Sequence, residues 1–366
     1  MKWNWQKKNW PDFSYNIKDL EPIEALFLRE SGILLGIHQH ISEENKKTWI
    51  VEALSHEALK TSEIEGEYLD RDSMRSSIAR HFGLITDRRK VGAAEAGIVE
   101  LMIDLYENFA TPLTHEQLFD WHLMLTQGRR DLGRVGYYRS HEEPMQVVSG
   151  YQDKFKVHFE APPSKIVFQE MERFIQWFNQ SAQSLPCLTR AGIAHLFFVS
   201  IHPFEDGNGR IARALATRAI LQSMGQPLLI ALSPVLQKNK KAYYAELDAN
   251  NKNLEISDWL IYFAKMALEA KDLTQKMTEF LIFKAKCYQQ HQGALNPRQL
   301  KVLNRLFEAG IEGFEGGLSA EKYVSITATS KATATRDLQE LVEKKILVRT
   351  GELKGTRYYL HNGNSI

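Results

Sequence analysis

At 366 residues, 43% of them apolar, the chain exceeds the usual single-domain size and can bury more than one core. A net charge of +1 and a pI near 7.8 exclude a molecule drawn as a whole to polyanions and leave room only for local basic patches. Two cysteines, Cys187 and Cys287, without CxxC spacing exclude a disulfide framework or a zinc site. The start, Met1-Lys2-Trp3-Asn4-Trp5, has no apolar leader, and no apolar run of about 18 residues follows. No membrane partner is therefore expected. The chain reads as cytoplasmic where it is made, a reading compatible with delivery into a host cell by a secretion route that needs no leader.

The opening carries Trp3, Trp5, Trp10, Pro11, Phe13 and Tyr15 and then turns helical over Leu20–Leu35 and Glu43–Glu63. The aromatics are expected to pack as a cap over those two helices. His38 and His40, without an acid or cysteine at ligand spacing, read as surface residues. Near the second helix end stands Leu59-Lys60-Thr61-Ser62-Glu63-Ile64-Glu65-Gly66-Glu67, where a Glu before a Gly is also an ordinary helix C-terminus.

From about 90 to 270 the pattern is mostly helical: Ala93–Phe109, Thr114–Leu125, Ser164–Asn179, Arg190–Ile201, Arg210–Met224 and Ser257–Ala270. Between two of these, Gln146-Val147-Val148-Ser149-Gly150 and Lys156-Val157-His158-Phe159 alternate about a turn, as a hairpin does. The densest chemistry is His202-Pro203-Phe204-Glu205-Asp206-Gly207-Asn208-Gly209-Arg210-Ile211-Ala212-Arg213, a Gly-rich loop between two helices. Free N–H groups at a helix start, approachable because glycine lacks a Cβ, suit an anion. Arg210 and Arg213 lie three apart on one helix face, and a guanidinium fork matches phosphate oxygens. Asp206 is a hard oxygen ligand of the kind Mg²⁺ accepts beside phosphates and water. His202 can take a proton near neutral pH.

The tail reads differently, with helices over Pro297–Ala309, Ser319–Ile326 and Ser330–Lys345, then strands Leu347-Val348-Arg349 and Arg357-Tyr358-Tyr359-Leu360 about Gly351 to Gly355. Three helices and a hairpin predict a winged helix over 285–361. Basic residues outnumber acidic ones by 13 to 8 between Lys284 and His361, so Lys331, Thr333, Thr335 and Arg336 are candidate phosphate contacts to DNA. Docking of a protein or a second copy is the other use of such a module.

The dozen residues from His202 to Arg213 match every defined position of the Fic motif, His-x-Phe-x-Asp/Glu-Gly-Asn-Gly-Arg-x-x-Arg, and the chain resembles the Fic family, whose members transfer AMP from ATP to protein hydroxyls. The resemblance implies a mainly α fold: a Fic helical core with a β-hairpin flap over 89–275, a small helical domain before it over 1–88, and the winged helix-turn-helix behind. It makes His202 the base that deprotonates a Ser, Thr or Tyr hydroxyl of a protein partner, the chain itself included. Phe204 becomes the apolar anchor of the loop and Asp206 the ligand of Mg²⁺ or Mn²⁺. Gly207, Asn208 and Gly209 form the anion hole, Arg210 completes phosphate binding and Arg213 holds the γ-phosphate of the substrate ATP. Thr61, Glu65 and Gly66 fit the family's inhibitory pattern, Ser/Thr-x-x-x-Glu-Gly/Asn, which as a class II arrangement pairs Glu65 with Arg213. In some members that Glu helps remove AMP instead. The hairpin resembles the flap that aligns a target segment by strand addition, and Gly136-Tyr137-Tyr138-Arg139 follows the family pattern. Lys241 to Asn251 resembles the adenine-contacting helix, with Tyr244 stacking and Asn251 hydrogen bonding. The rival reading is a DNA-binding regulator with a nucleotide-sensing Fic core. A homodimer that buries the helix of Glu65 would make access depend on concentration.

Overall fold

Polar side chains decide where the helices begin. In the computed structural model, which describes residues 2–85, 91–149, 156–311, 313–314 and 316–361, Asn16, Ser42, Asp70 and Thr114 each accept a backbone N–H of the first helical turn, the usual satisfaction of orphan donors. They open α1 (Ile17–Gln39), α2 (Glu43–Ile64), α3 (Arg71–His81) and, after α4 (Ala93–Asn108), α5 (His115–Leu125). A two-stranded antiparallel hairpin follows, β1 (Gln146–Ser149) with β2 (Lys156–Glu160), carrying a bulge between Val147 and Val148. Next come α6 (Ser164–Gln180), α7 (Cys187–Ile201), α8 (Asn208–Met224), α9 (Ser233–Lys238), α10 (Lys240–Asn250) and α11 (Ser257–Gln290). The tail holds α12 (Pro297–Glu308), α13 (Ala320–Thr327), α14 (Lys331–Glu343) and the antiparallel strands β3 (Leu347–Thr350) and β4 (Arg357–Leu360). The fold is mainly α, with only these small sheets among the described residues, as the sequence predicts. Gly150 and the turn expected of the hairpin, and the 88/89 domain boundary, lie outside the described residues.

The chain divides into two compact units, Met1–Thr274 and Gln275–Ile366. In the first, α7 and α8 are buried along almost their whole length; α7 is mostly apolar, the signature of a core helix, whereas α8 buries Arg210, Arg213 and Arg218 as well. α7 begins at Cys187 rather than Arg190 because the buried Glu24 of α1 caps it: its carboxylate accepts Leu188 N–H at 3.0 Å, Thr189 N–H at 2.7 Å and the Thr189 hydroxyl at 2.9 Å. A cap supplied from a distant helix leaves no local signal in the sequence.

The aromatic opening does not cap α1 and α2. Trp10 and Phe13 pack edge-on against Phe197 of α7, and the Trp10 indole donates to Glu170 of α6 at 2.8 Å. Trp3 meets Phe159 of β2 at 5.4 Å, and the Trp5 indole donates to the Glu160 carbonyl at 2.7 Å. The segment runs as a strap across the core, joined to it at Ser14, whose N–H donates to Leu254 and whose carbonyl accepts from Ile256. Indole N–H groups seek buried acceptors, and the flap and α6 provide them where the two N-terminal helices do not.

In the second unit α12, α13 and α14 enclose a core of Val302, Leu306, Tyr323, Leu338, Leu341 and Tyr358. Asp337 of α14 is buried and accepts from Arg298 Nε at 2.8 Å, Tyr323 hydroxyl at 2.8 Å and Asn296 Nδ2 at 3.1 Å, which ties the three helices together. The other face of α14 leaves Lys331, Thr335 and Arg336 exposed and Thr333 half-buried. No helix among the described residues is long and apolar enough to cross a membrane.

Candidate active site

α7 ends abruptly. His202, its C-cap, sits in the left-handed region at φ 51° and ψ 60° with its N–H donating to the Phe198 carbonyl at 3.0 Å. For a residue with a Cβ this conformation costs on the order of 1 kcal/mol, and the fold sustains it with buried neighbours on both sides. The ring Nδ1 lies 3.3 Å from the Val199 carbonyl. A carbonyl only accepts, so Nδ1 carries the proton and Nε2 keeps its lone pair. Burial pushes the His202 pKa down to about 4, so the ring is the neutral, proton-accepting form at pH 7.

The loop beyond is rigid by construction. Asn208 holds Phe204 in a reciprocal pair, accepting its N–H at 3.0 Å and donating to its carbonyl at 2.8 Å. Phe204 is fully buried, stacked on His122 at 4.3 Å and against Tyr138 at 5.3 Å. Gly207 takes φ 78° as the N-cap of α8, which has no side-chain cap; the first N–H groups of the helix are thus not satisfied by a capping side chain. Asp206 places one carboxylate oxygen on Gly207 N–H at 2.7 Å and the other on Arg129 Nη1 at 2.6 Å. Burial opposes its charge, but those two hydrogen bonds win and hold its pKa below the usual carboxylate value.

Both arginines of the loop are buried, and each faces a carboxylate. Arg213 donates Nε to the Thr61 hydroxyl at 2.7 Å, and Nη2 to the Thr61 carbonyl at 3.0 Å and to Glu65 at 2.7 Å. Burial disfavours the guanidinium, yet Glu65 outweighs it and raises the Arg213 pKa above its ordinary value. A Cβ at Gly209 would overlap the Glu65 carboxylate and lie 3.2 Å from Arg213 Nη1, so the acid is pressed against the glycine loop itself. Gly66 at φ 86° ends α2 beside it. Arg210 donates Nη1 to Glu67 at 2.6 Å, with Asp206 a more distant 3.9 Å from Nη2.

The adenine candidates separate. Tyr243 is buried and hydrogen-bonds His195 at 2.9 Å, a core aromatic, whereas Tyr244 stays part-exposed with its hydroxyl 3.5 Å from the Ile64 carbonyl, beside Glu65. Burial first and Glu65 second raise the Tyr244 pKa. Asn251 donates its amide to the His158 carbonyl of the flap at 3.0 Å and leaves Oδ1 buried without a hydrogen-bond partner among the described residues. Its backbone carbonyl accepts from Asn4 of the strap at 2.9 Å.

Three groups of the site carry no role in the sequence reading. Arg139 is buried and donates to the carbonyls of His202 at 2.8 Å and Pro162, and to the Ser164 hydroxyl at 2.9 Å, bolting the loop to the base of the flap. With no carboxylate partner among the described residues, it feels burial, and its pKa falls to about 10. Arg129 joins Asp206 while Asp131 grips it from behind with two bonds of 2.7 Å. Glu67 is the third. The fixed spacing of a motif flags residues that face a ligand, not the loop partners that pair with them.

Comparison with known proteins matches two stretches of the chain to family models. A family model described as Fic/DOC family matches residues 112–220. The chain carries a Fic/DOC domain. A second model, described as a domain of unknown function (DUF4172), matches residues 3–84. The chain is similar to protein adenylyltransferase fic-1 of Caenorhabditis briggsae, 33% identical over 100 residues, which are 27% of this chain and 18% of that one. It is also similar to protein adenylyltransferase Fic of Drosophila willistoni, 25% identical over 155 residues, 38% of this chain and 29% of that one. The chain thus spans less than a third of the length of these relatives. Among solved structures, a Fic family protein of Desulfovibrio desulfuricans shares the fold at TM-score 0.53 and 19% identity, over 96% of this chain and 98% of that one. A Caenorhabditis elegans Fic-1 fragment does so at TM-score 0.52 and 21% identity, over 73% and 74%.

Proposed function

We propose that the chain is a protein adenylyltransferase that moves AMP from ATP to a Ser, Thr or Tyr hydroxyl of a protein, itself included, and that Glu65 holds it back. One observation carries this: His202, whose Nδ1 is turned to the Val199 carbonyl so that Nε2 is left proton-free, stands five residues before the glycine N-cap of α8, with two buried guanidinia on that helix. His202 Nε2 takes the hydroxyl proton, the oxygen bonds to the α-phosphorus, the α–β bridging P–O bond breaks, and pyrophosphate leaves. Such transfer needs positioning and charge stabilisation rather than a protein nucleophile. Gly207, Asn208 and Gly209 line the phosphates with N–H groups, and Arg210 and Arg213 clamp the terminal ones once their carboxylates let go. Tyr244 offers a ring face to adenine, and Asn251 Oδ1 is an acceptor for its exocyclic amine.

Asp206 fits Mg²⁺ or Mn²⁺, since its outer oxygen already faces a cationic group in Arg129. Among the described residues no cluster of three metal-binding side chains exists, so one carboxylate with phosphate oxygens and water would complete the shell. When bound, the ion neutralises phosphate charge. The flap edge would hold a target segment by main-chain hydrogen bonds. The similarity to proteins named adenylyltransferases supports the reading over a part of the chain, 27% and 38% of it in the two relatives. Incubation with α-labelled ATP tests it: wild type labels itself weakly, and His202→Ala not at all. Label transferred by the His202 variant would refute the role of the base.

For the tail, the exposure of Lys331, Thr335 and Arg336 on α14 favours a nucleic-acid-binding winged helix. A salt-dependent shift of duplex DNA by the full chain, lost in a Lys331→Ala/Arg336→Ala double variant, is the expected result.

A further inference from the structure

We propose that Glu67 is a second inhibitory carboxylate, holding Arg210 as Glu65 holds Arg213, so that the resting site is latched twice. The inference rests on the function proposed above and extends its regulation. The inhibitory pattern read in the sequence ends at Gly66 and leaves Glu67 unassigned. Yet Glu67 Oε2 lies 2.6 Å from Arg210 Nη1, closer than the 2.7 Å between Glu65 and Arg213. The backbone explains how two neighbouring acids face one loop. Gly66 at φ 86° reverses the chain after α2, and the N–H groups of Glu65 and Glu67 both donate to the Ser62 carbonyl at 3.0 Å. The turn therefore brings both carboxylates to the same side, where the arginines, one helical turn apart on α8, receive one each.

Burial makes this contact a latch rather than a surface pair. The Arg210 side chain is 3% exposed while that of Glu67 is 32% exposed. The guanidinium cannot withdraw to water, and the carboxylate can. Arg210 has little else to satisfy it: Asp206 stands at 3.9 Å and its Nε has no hydrogen-bond partner among the described residues. A buried guanidinium without an anion is costly, so Arg210 keeps Glu67 until a polyphosphate replaces it. Release of Glu65 alone leaves half of the clamp occupied.

The test separates binding from transfer. Inorganic tripolyphosphate is titrated calorimetrically into the full chain as wild type, Glu67→Gln, Glu65→Gly and the double variant. Glu67→Gln is expected to tighten binding about tenfold in either background, the size of one charge-assisted hydrogen bond no longer in competition. Glu67→Ala serves as the second substitution, and thermal unfolding of each variant checks the fold. Equal affinity with and without the Glu67 carboxylate in both backgrounds overturns the second latch, as does failure of every variant, the double included, to bind. Tightened binding without labelling by α-labelled ATP sinks the transferase reading and leaves the latch standing.

Discussion

Removing the Glu65 carboxylate should change both activity and ligand response by an amount the geometry fixes. In Glu65→Gly, Arg213 loses the 2.7 Å bond to Glu65 but keeps Thr61 through two hydrogen bonds, so the guanidinium stays in place while its anion is gone. A hydrogen bond to a charged group contributes about 1.5–3 kcal/mol. Glu65 is 29% exposed, which puts the pair at the lower end. About 1.5–2 kcal/mol corresponds to roughly 10–30-fold more of the clamp being open to a γ-phosphate. Self-labelling with α-labelled ATP should rise by that factor at ATP below saturation. The same variant should unfold at lower temperature than wild type without ligand, because a buried charge is left unpaired, and should gain more from ATP. Glycine itself is tolerated at the C-cap of α2, where Glu65 has φ −84°. Labelling equal to wild type, with an equal ATP-induced shift in Tm, would refute the reasoning.

Arg129→Gln frees the outer oxygen of Asp206, and free Mn²⁺ read by electron paramagnetic resonance should fall in the presence of ATP; unchanged or weaker Mn²⁺ binding contradicts a competing role for Arg129. Glu24→Ala strips the cap from α7 and should cost about 2 kcal/mol, visible as a lower urea midpoint with an unchanged slope. His122 and His195 are buried, and burial pushes their pKa values down to about 4 and about 3. Since the folded values lie below the unfolded value of about 6.5, the unfolded chain binds more protons as pH falls. Stability is therefore full above pH ~6.5 and should decline toward pH 5 by up to about 1.4 kcal/mol per pH unit for each ring. A urea midpoint flat over that window counts against it.

Much of the site was legible because its chemistry is local. Gly207 to Gly209, Arg210 and Arg213 sit within two helical turns, so spacing alone brings them to one end of α8, and the hairpin and long helices follow from alternation and periodicity. What stayed hidden depends on distant partners. Glu24 starts α7 from another helix, Arg139 ties loop to flap through carbonyls that any residue provides, and Arg129 reaches Asp206 from a loop without periodicity. The helix α3 and the true seat of the Trp residues escaped for the same reason: a tryptophan announces that it will be buried, not against what.

The strap that carries Trp3 and Trp5 has a practical corollary. Because its Asn4 donates to Ser200 at 2.7 Å, two positions before His202, and to the Asn251 carbonyl, the opening module is no detachable appendage. Deleting it to isolate a minimal Fic domain would unroof Phe197 and Phe159 and slacken the β1–β2 hairpin.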